Sequence, residues 1–163
     1  MCSSDLYPGT GAAREIGVAD GRGYTVNIPL EAGATDDDYR LVFADVVSPV
    51  LRQFNPGLLI ISAGFDAHER DPLGGMRVTT PGFAAMTNDL RAVADECCGG
   101  KLIAVTEGGY DLKALTDSLR AVVGVMAHET RGEVAWPVSS AASTRGKDGV
   151  KQAQSALASH WKF

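Results

Sequence analysis

"LIAVTEGGYD", Leu102 to Asp111, runs an apolar β-type segment straight into two glycines and then a tyrosine. The run Lys101 to Thr106 reads as a buried strand that stops before Gly108-Gly109. Two glycines remove the Cβ atoms that hold a backbone away from its neighbour, so they suit the wall of a narrow site. They suit an ordinary strand-to-helix turn equally well.

The same grammar recurs upstream. The segments Tyr24 to Leu30 and Leu58 to Ala63 are also β-type, and helical patterns alternate with the strands, which predicts an α/β fold with a mostly parallel sheet flanked by helices. The first helical pattern, "TDDDYRLVFADVVSPVLRQF", has Thr35 as N-cap, acids in its first turn, and Val42, Val46, Val50 and Phe54 at helical spacing. Pro49 should kink or break it. The second starts near Pro81, places Phe83, Met86, Leu90 and Val93 on one stripe, and ends at Gly99-Gly100. The third runs from about Asp111 through Leu115, Leu119, Val122 and Val125 to Met126 and reads as plain core. Residues 130–149, rich in Ser, Gly and Arg, are expected to form a flexible linker, followed by a C-terminal helix within 150–163, around Val150 to Trp161.

Composition sets outer bounds. A chain of 163 residues, 45% hydrophobic and 21% charged, has the material for one globular domain. Its net charge of -5 and pI near 5.1 provide no basic field for phosphate backbones, which argues against direct nucleic-acid binding. No apolar run approaches the ~18 residues of a membrane span, and the N-terminus lacks the order of a signal peptide, so the expectation is no membrane association and a cytoplasmic location. Cys2, Cys97 and Cys98 are an odd set without C-x-x-C spacing, so they read as reduced thiols and not as zinc ligands.

In open α/β sheets chemistry collects outside the carboxyl ends of the strands. Here "LLIIS" leads into "AGFDAHERDPLGG", and the last strand leads into "EGGYD". Asp66 and Tyr110 would share a site if those strands are neighbours. Asp66-Ala67-His68 has D-x-H spacing that could offer a metal two ligands, although a surface histidine in a polar loop is the commoner outcome. Taken alone, Asp66 could equally be an exposed loop acid and Tyr110 a helix-start aromatic.

"FDAHERDPLGG", together with "YPGTGAAREIG", "GYTVNIPL" and "TEGGYD" in this order and spacing, closely resembles the zinc-dependent histone deacetylase family. The likeness is to class II-like bacterial members, akin to acetylpolyamine amidohydrolases and acetoin-utilisation proteins, and it covers about Tyr7 to Ala127. It implies an arginase/deacetylase α/β fold and hydrolysis of the acetyl amide of acetyl-lysine, a polyamine or a small amide. Asp66 then corresponds to one protein ligand of a catalytic Zn2+, and Tyr110 to the tyrosine whose hydroxyl steadies the tetrahedral intermediate. Gly108 and Gly109 correspond to the substrate tunnel wall, Tyr7 to an aromatic wall residue, and Pro72 and Leu73 to the tunnel rim. Tyr24 aligns near a structural monovalent cation, K+, and His68 is not a ligand by the same alignment.

The chemistry suits those types. A carboxylate is a suitable zinc ligand, and a phenol with pKa near ~10 stays protonated to donate to a developing oxyanion. The family's histidine pair and its Asp-x-His ligands lie upstream of the YPGTG segment. Residues 7–129 are therefore expected to be the C-terminal part of a deacetylase domain, inactive in isolation. "MCSSDL", residues 1–6, resembles no family segment and matches what a sequencing adapter would encode, so it is set aside as an artefact. The alternative from another class is a non-catalytic α/β binding or interaction fragment. A nucleotide-binding domain is disfavoured, because no strand is followed by G-x-G-x-x-G or a Gly-Lys-Ser/Thr run.

Overall fold

The computed structural model describes residues 9–127, 134–138 and 144–163. The elements run α1 (Asp36–Val42), a π-helical segment (Phe43–Val47), α2 (Ser48–Phe54), β1 (Leu59–Ala63), α3 (Thr80–Cys98), β2 (Leu102–Thr106), α4 (Leu112–Met126) and α5 (Arg145–Leu157).

The helices begin and end where local chemistry says they should. Thr35 precedes α1, and Asp38 Oδ2 accepts from Thr35 N and Thr35 Oγ1 at 2.8 and 3.1 Å. Thr79 Oγ1 accepts from Gly82 N at the start of α3, Pro81 occupies the first turn, and Gly99 closes the helix at φ 63°. Asp111 Oδ1 accepts from Ala114 N at 2.7 Å and caps α4.

Pro49 does not break its helix. The chain widens into π-helical turns just before it, and Gln154 Nε2 donates to Asp45 O, the carbonyl four residues back to which a proline nitrogen offers no proton. Asn55 then takes a left-handed φ of 53° and ends α2.

β1 and β2 pair in parallel from Leu59↔Leu102 to Ala63↔Thr106. Leu59 packs with Ala94 and Cys98 of α3, and Leu51, Leu90 and Leu102 close around them. The opposite face presents Ile60, Ile103 and Val105, each about half exposed or more, among the described residues. The short segment Arg77–Val78 makes isolated parallel bridges to Thr35 on one side and His68 on the other, tying the start of α1 to the loop after β1.

The expected first strand, Tyr24 to Leu30, is not one: the segment is extended but joins no ladder among the described residues. A strand is a pairing, and period-two alternation records only which side is apolar. Val26, Ile28 and Leu30 spend that apolar side on Val42, Val46, Val50 and Val150, a cluster built by helices. Asn27 fixes the segment from its other side, its Nδ2 donating to Ala12 O and Glu15 O.

α5 begins at Arg145, ahead of the expected Val150. Gly146 N donates to Asp38 Oδ1 at 2.7 Å, and the bare Cα atoms of Gly146 and Gly149 let α5 approach closely, since Cβ atoms there would meet Asp38 O at 2.8 Å and Pro29 O at 2.5 Å. Beyond α5, Trp161 Nε1 donates to Gly23 O at 2.7 Å and pins the C-terminal residues to the front of the chain.

Candidate active site

The loops after β1 and β2 leave the same end of the sheet, with Phe65 N donating to Gly108 O at 2.9 Å and Glu107 N to Ala63 O at 3.1 Å. This places Asp66 beside the "EGGYD" turn. A Cβ added to Gly108 would lie 3.3 Å from Asp66 Cγ and Oδ2, so this glycine is bare because a carboxylate lies against it. Gly109 has φ 130°, and a Cβ there would press on Phe65 and Leu115.

Asp71 joins the loops. Its Oδ1 accepts from Leu73 N and Gly74 N at 2.9 and 3.1 Å, and its Oδ2 accepts from Tyr110 N at 2.7 Å. Burial works to raise the Asp71 carboxyl, but the N–H groups of Tyr110, Leu73, Gly74 and Asp111 outweigh it and hold its pKa below the usual value. Arg70 Nη2 reaches Asp111 Oδ2 at 3.3 Å, a second link between the loops. Gly74 is seated so tightly that a Cβ would collide with Asp66 O.

Tyr110 is 60% exposed and Leu73 69%, with Pro72 exposed beside it. Tyr7 lies outside the described residues. Tyr24 lies apart from these loops, its ring meeting Phe54 and Trp161 edge-on, each at 6.0 Å. A cavity of about 780 Å³ opens far from these loops in sequence, where α5 faces Ala12–Arg14 and Pro29–Glu31, and it includes none of the residues above.

His68 corrects an expectation. It is no surface histidine: it is 4% exposed and its ring lies parallel to that of Phe83 at 6.2 Å. Arg70 N donates to Nδ1 at 3.1 Å, so the ring proton resides on Nε2, which reaches Thr80 Oγ1 at 3.2 Å. Thr80 Oγ1 in turn contacts buried Ser118 Oγ at 3.3 Å. The polar chain ties the Asp66 loop to α3 and α4, and both ring nitrogens are engaged by protein groups.

Sequence reasoning passed over Asp71 and Tyr39. For Asp71 the signal was present, since D-P-L-G-G is an Asp-initiated turn whose carboxylate seeks N–H groups two and three residues on. Tyr39 looked like one more residue of an amphipathic helix. It packs with the Phe65, Val78 and Phe83 cluster, and burial, then the charges of Asp66 and Asp38, push its phenol up to about 12.

Among the described residues no three His, Cys, Asp or Glu side chains gather to hold a metal ion. Asp66 stands without two further such side chains beside it among the described residues. No helix among them is long and apolar enough to cross a membrane.

Comparison with known proteins bears on the same residues. The sequence matches the family model "Histone deacetylase domain" over residues 1–126. It is 43% identical over 143 residues to Histone deacetylase 15 of Arabidopsis thaliana, covering 87% of this chain and 25% of that protein. It is 34% identical to a "Probable deacetylase" of Archaeoglobus fulgidus, covering 96% of this chain and 47% of that one. The solved HDA15 HD domain superposes with a TM-score of 0.84 at 39% identity, over 98% of this chain and 42% of that structure. The chain thus spans a quarter to about half the length of these relatives. Parallel strands flanked by helices, with the Asp66 and Tyr110 loops meeting at one sheet end, agree with that likeness in an arginase/deacetylase-like α/β fold. The chain belongs to the histone deacetylase domain family.

Proposed function

We propose that this chain contributes the Asp66 and Tyr110 side of a zinc-dependent deacetylase that hydrolyses the acetyl amide of acetyl-lysine, an acetylpolyamine or a related small amide. The observation behind this reading is the clasp at the sheet end: Asp71 ties Tyr110 N to the turn whose Gly74 seats against Asp66 O. A bound zinc would polarise the acyl carbonyl and acidify water, and Asp66 would supply one carboxylate ligand to it. The described residues offer no complete ligand set, and their own work is to orient the substrate and to supply a proton donor.

Tyr110, exposed at the sheet end, donates its O–H to the carbonyl oxygen as negative charge develops there. Gly108 and Gly109 form a side-chain-free wall along which an extended acyl chain passes, and Pro72 and Leu73 stand at its mouth; the family resemblance alone assigns Tyr7, outside the described residues, to the same tunnel. A structural K+ near Tyr24 and a cytoplasmic location belong to the same reading, supported by the sequence alone.

The test is acetate release from an acetyl-lysine peptide. The 163 residues contain no adjacent histidine pair to act as general base, so alone they should neither retain zinc through buffer exchange nor release acetate. Joined to a histidine-bearing deacetylase half they should do both. In that form Asp66→Ala should lose zinc, while Tyr110→Phe should keep zinc and lower kcat by about 10²–10³-fold, the usual effect of removing one oxyanion donor. Chelator-sensitive turnover by the bare chain, or an unchanged kcat in Tyr110→Phe, would overturn the assignment and favour a binding role for this surface.

A further inference from the structure

We propose that Asp71 is the positioning residue for Tyr110, clasping the phenol-bearing turn to the loop of Asp66 so that the two side chains are presented as one rigid unit. The proposal deepens the deacetylase reading and rests on it for the role of Tyr110.

Tyr110 needs such a device. Gly109 at φ 130° gives it a pliant predecessor, the residue is 60% exposed, and regular helix begins only at Leu112. Where its phenol points is therefore set by the backbone on either side. Downstream, Asp111 is fixed by its cap bond to Ala114 N and its ion pair with Arg70. Upstream, the turn is fixed by Phe65 N donating to Gly108 O. Between them, the Tyr110 N–H donates to Asp71 Oδ2 at 2.7 Å, a short charge-assisted bond.

Asp71 cannot follow if the turn moves. Oδ1 is held by the N–H groups of Leu73 and Gly74, and Asp71 N donates to His68 O at 2.9 Å. Gly74 in turn has no room to shift toward Asp66 O. An unbroken series of contacts thus runs from the main chain of Asp66 through Gly74 and Asp71 to the main chain of Tyr110. Both Asp71 carboxylate oxygens are taken by backbone N–H groups, so its effect is exerted through Tyr110.

Asp71→Asn separates this role from a local one. An asparagine retains an oxygen for Leu73 and Gly74 but turns an NH2 group toward the Tyr110 N–H, so the turn survives and the clasp is lost. In the chain as it stands, the Tyr110 amide resonance should move upfield and its exchange with water should quicken by about 10-fold or more, with the Gly74 and Ala114 amides unmoved. In the deacetylating form kcat should fall by about 10–10²-fold with KM nearly constant, as expected when a catalytic group is displaced by a fraction of an ångström to an ångström. If Asp71→Asn does not fold, the unmodified chain decides the clasp: the Tyr110 and Gly74 amides should titrate together with the Asp71 carboxyl carbon. A Tyr110 amide indifferent to Asp71 in either measurement overturns the proposal, as does an unchanged kcat in a folded variant that has lost the amide signature. Absence of deacetylation by the unsubstituted form is a different result and sinks the functional reading instead.

Discussion

The carboxylate of Asp66 lies against the bare Cα of Gly108, with Cγ and Oδ2 each 3.3 Å from where a Cβ would be. Gly74 presses on the same residue from its main-chain side. The two glycines look alike in sequence and differ in what yields. At Gly108 a methyl group need only push a half-buried side chain by tenths of an ångström, so Gly108→Ala should cost no more than about 1 kcal/mol, at the low end of overpacking. At Gly74 the obstacle is backbone, and Gly74→Ala should cost about 3 kcal/mol. Urea unfolding of the two variants checks the order, and equal losses would show that Asp66 is not seated as described. On the ligand role proposed for Asp66, Gly108→Ala should weaken metal retention in the zinc-binding form despite its small effect on stability, because it displaces that carboxylate.

What the sequence made legible was mostly local. Pro81 and Gly99 mark the bounds of α3 and Asp111 the start of α4, and the bonds that fix these ends lie within a few residues, so pattern and position coincide. Tyr24 to Leu30 misled because strand identity depends on a distant partner, and a helical face took its alternating side chains instead. Gly146 and Gly149 read as linker because their stretch is rich in Ser, Gly and Arg, but here α5 needs bare Cα atoms to reach Asp38 and Pro29. At the site, Asp66 and Tyr110 were visible as strand-end residues. The third party, Asp71, makes its decisive bond across 39 positions of sequence, and no local pattern encodes that partner.

Tyr39 predicts an alkaline weakness. Its phenol pKa rises from 10.0 to about 12 on folding, first through burial and then through the charges of Asp66 and Asp38. A raised pKa means the folded state binds the proton more tightly, so stability is at its full value below pH ~10 and falls as pH climbs toward 12. At ~1.4 kcal/mol per unit the loss specific to Tyr39 should be about 2–3 kcal/mol. Lysines and other tyrosines titrate in the same window, so the measurement is the difference between the protein and Tyr39→Phe, by urea unfolding at pH 9, 10.5 and 12. The phenylalanine variant should show the shallower decline. Parallel curves would mean that Tyr39 ionises as if exposed.

His68 supplies the last prediction, because its place in the structure reverses what its loop setting suggested. By sequence it is a bystander whose loss should do little. In the fold it is buried, it stacks on Phe83, and its nitrogens engage Arg70 N and Thr80 Oγ1. His68→Ala would strand those partners, remove the ring packed on Phe83 and loosen the segment bridging to Val78. Losing the bonds to partners that remain in place costs about 1–3 kcal/mol, and the vacated ring volume adds to this, so a total near 3 kcal/mol is expected. His68→Gln is the informative comparison. Its amide oxygen can accept from Arg70 N, or its NH2 can donate to Thr80, but a flexible chain should not do both at once, and roughly half the loss should return. If His68 held a metal instead, His68→Ala in the active form would strip zinc at unchanged thermal stability. The structure calls for the opposite: lower thermal stability of the bare chain, measured without metal, and zinc retention in the assembled enzyme preserved wherever the variant remains folded.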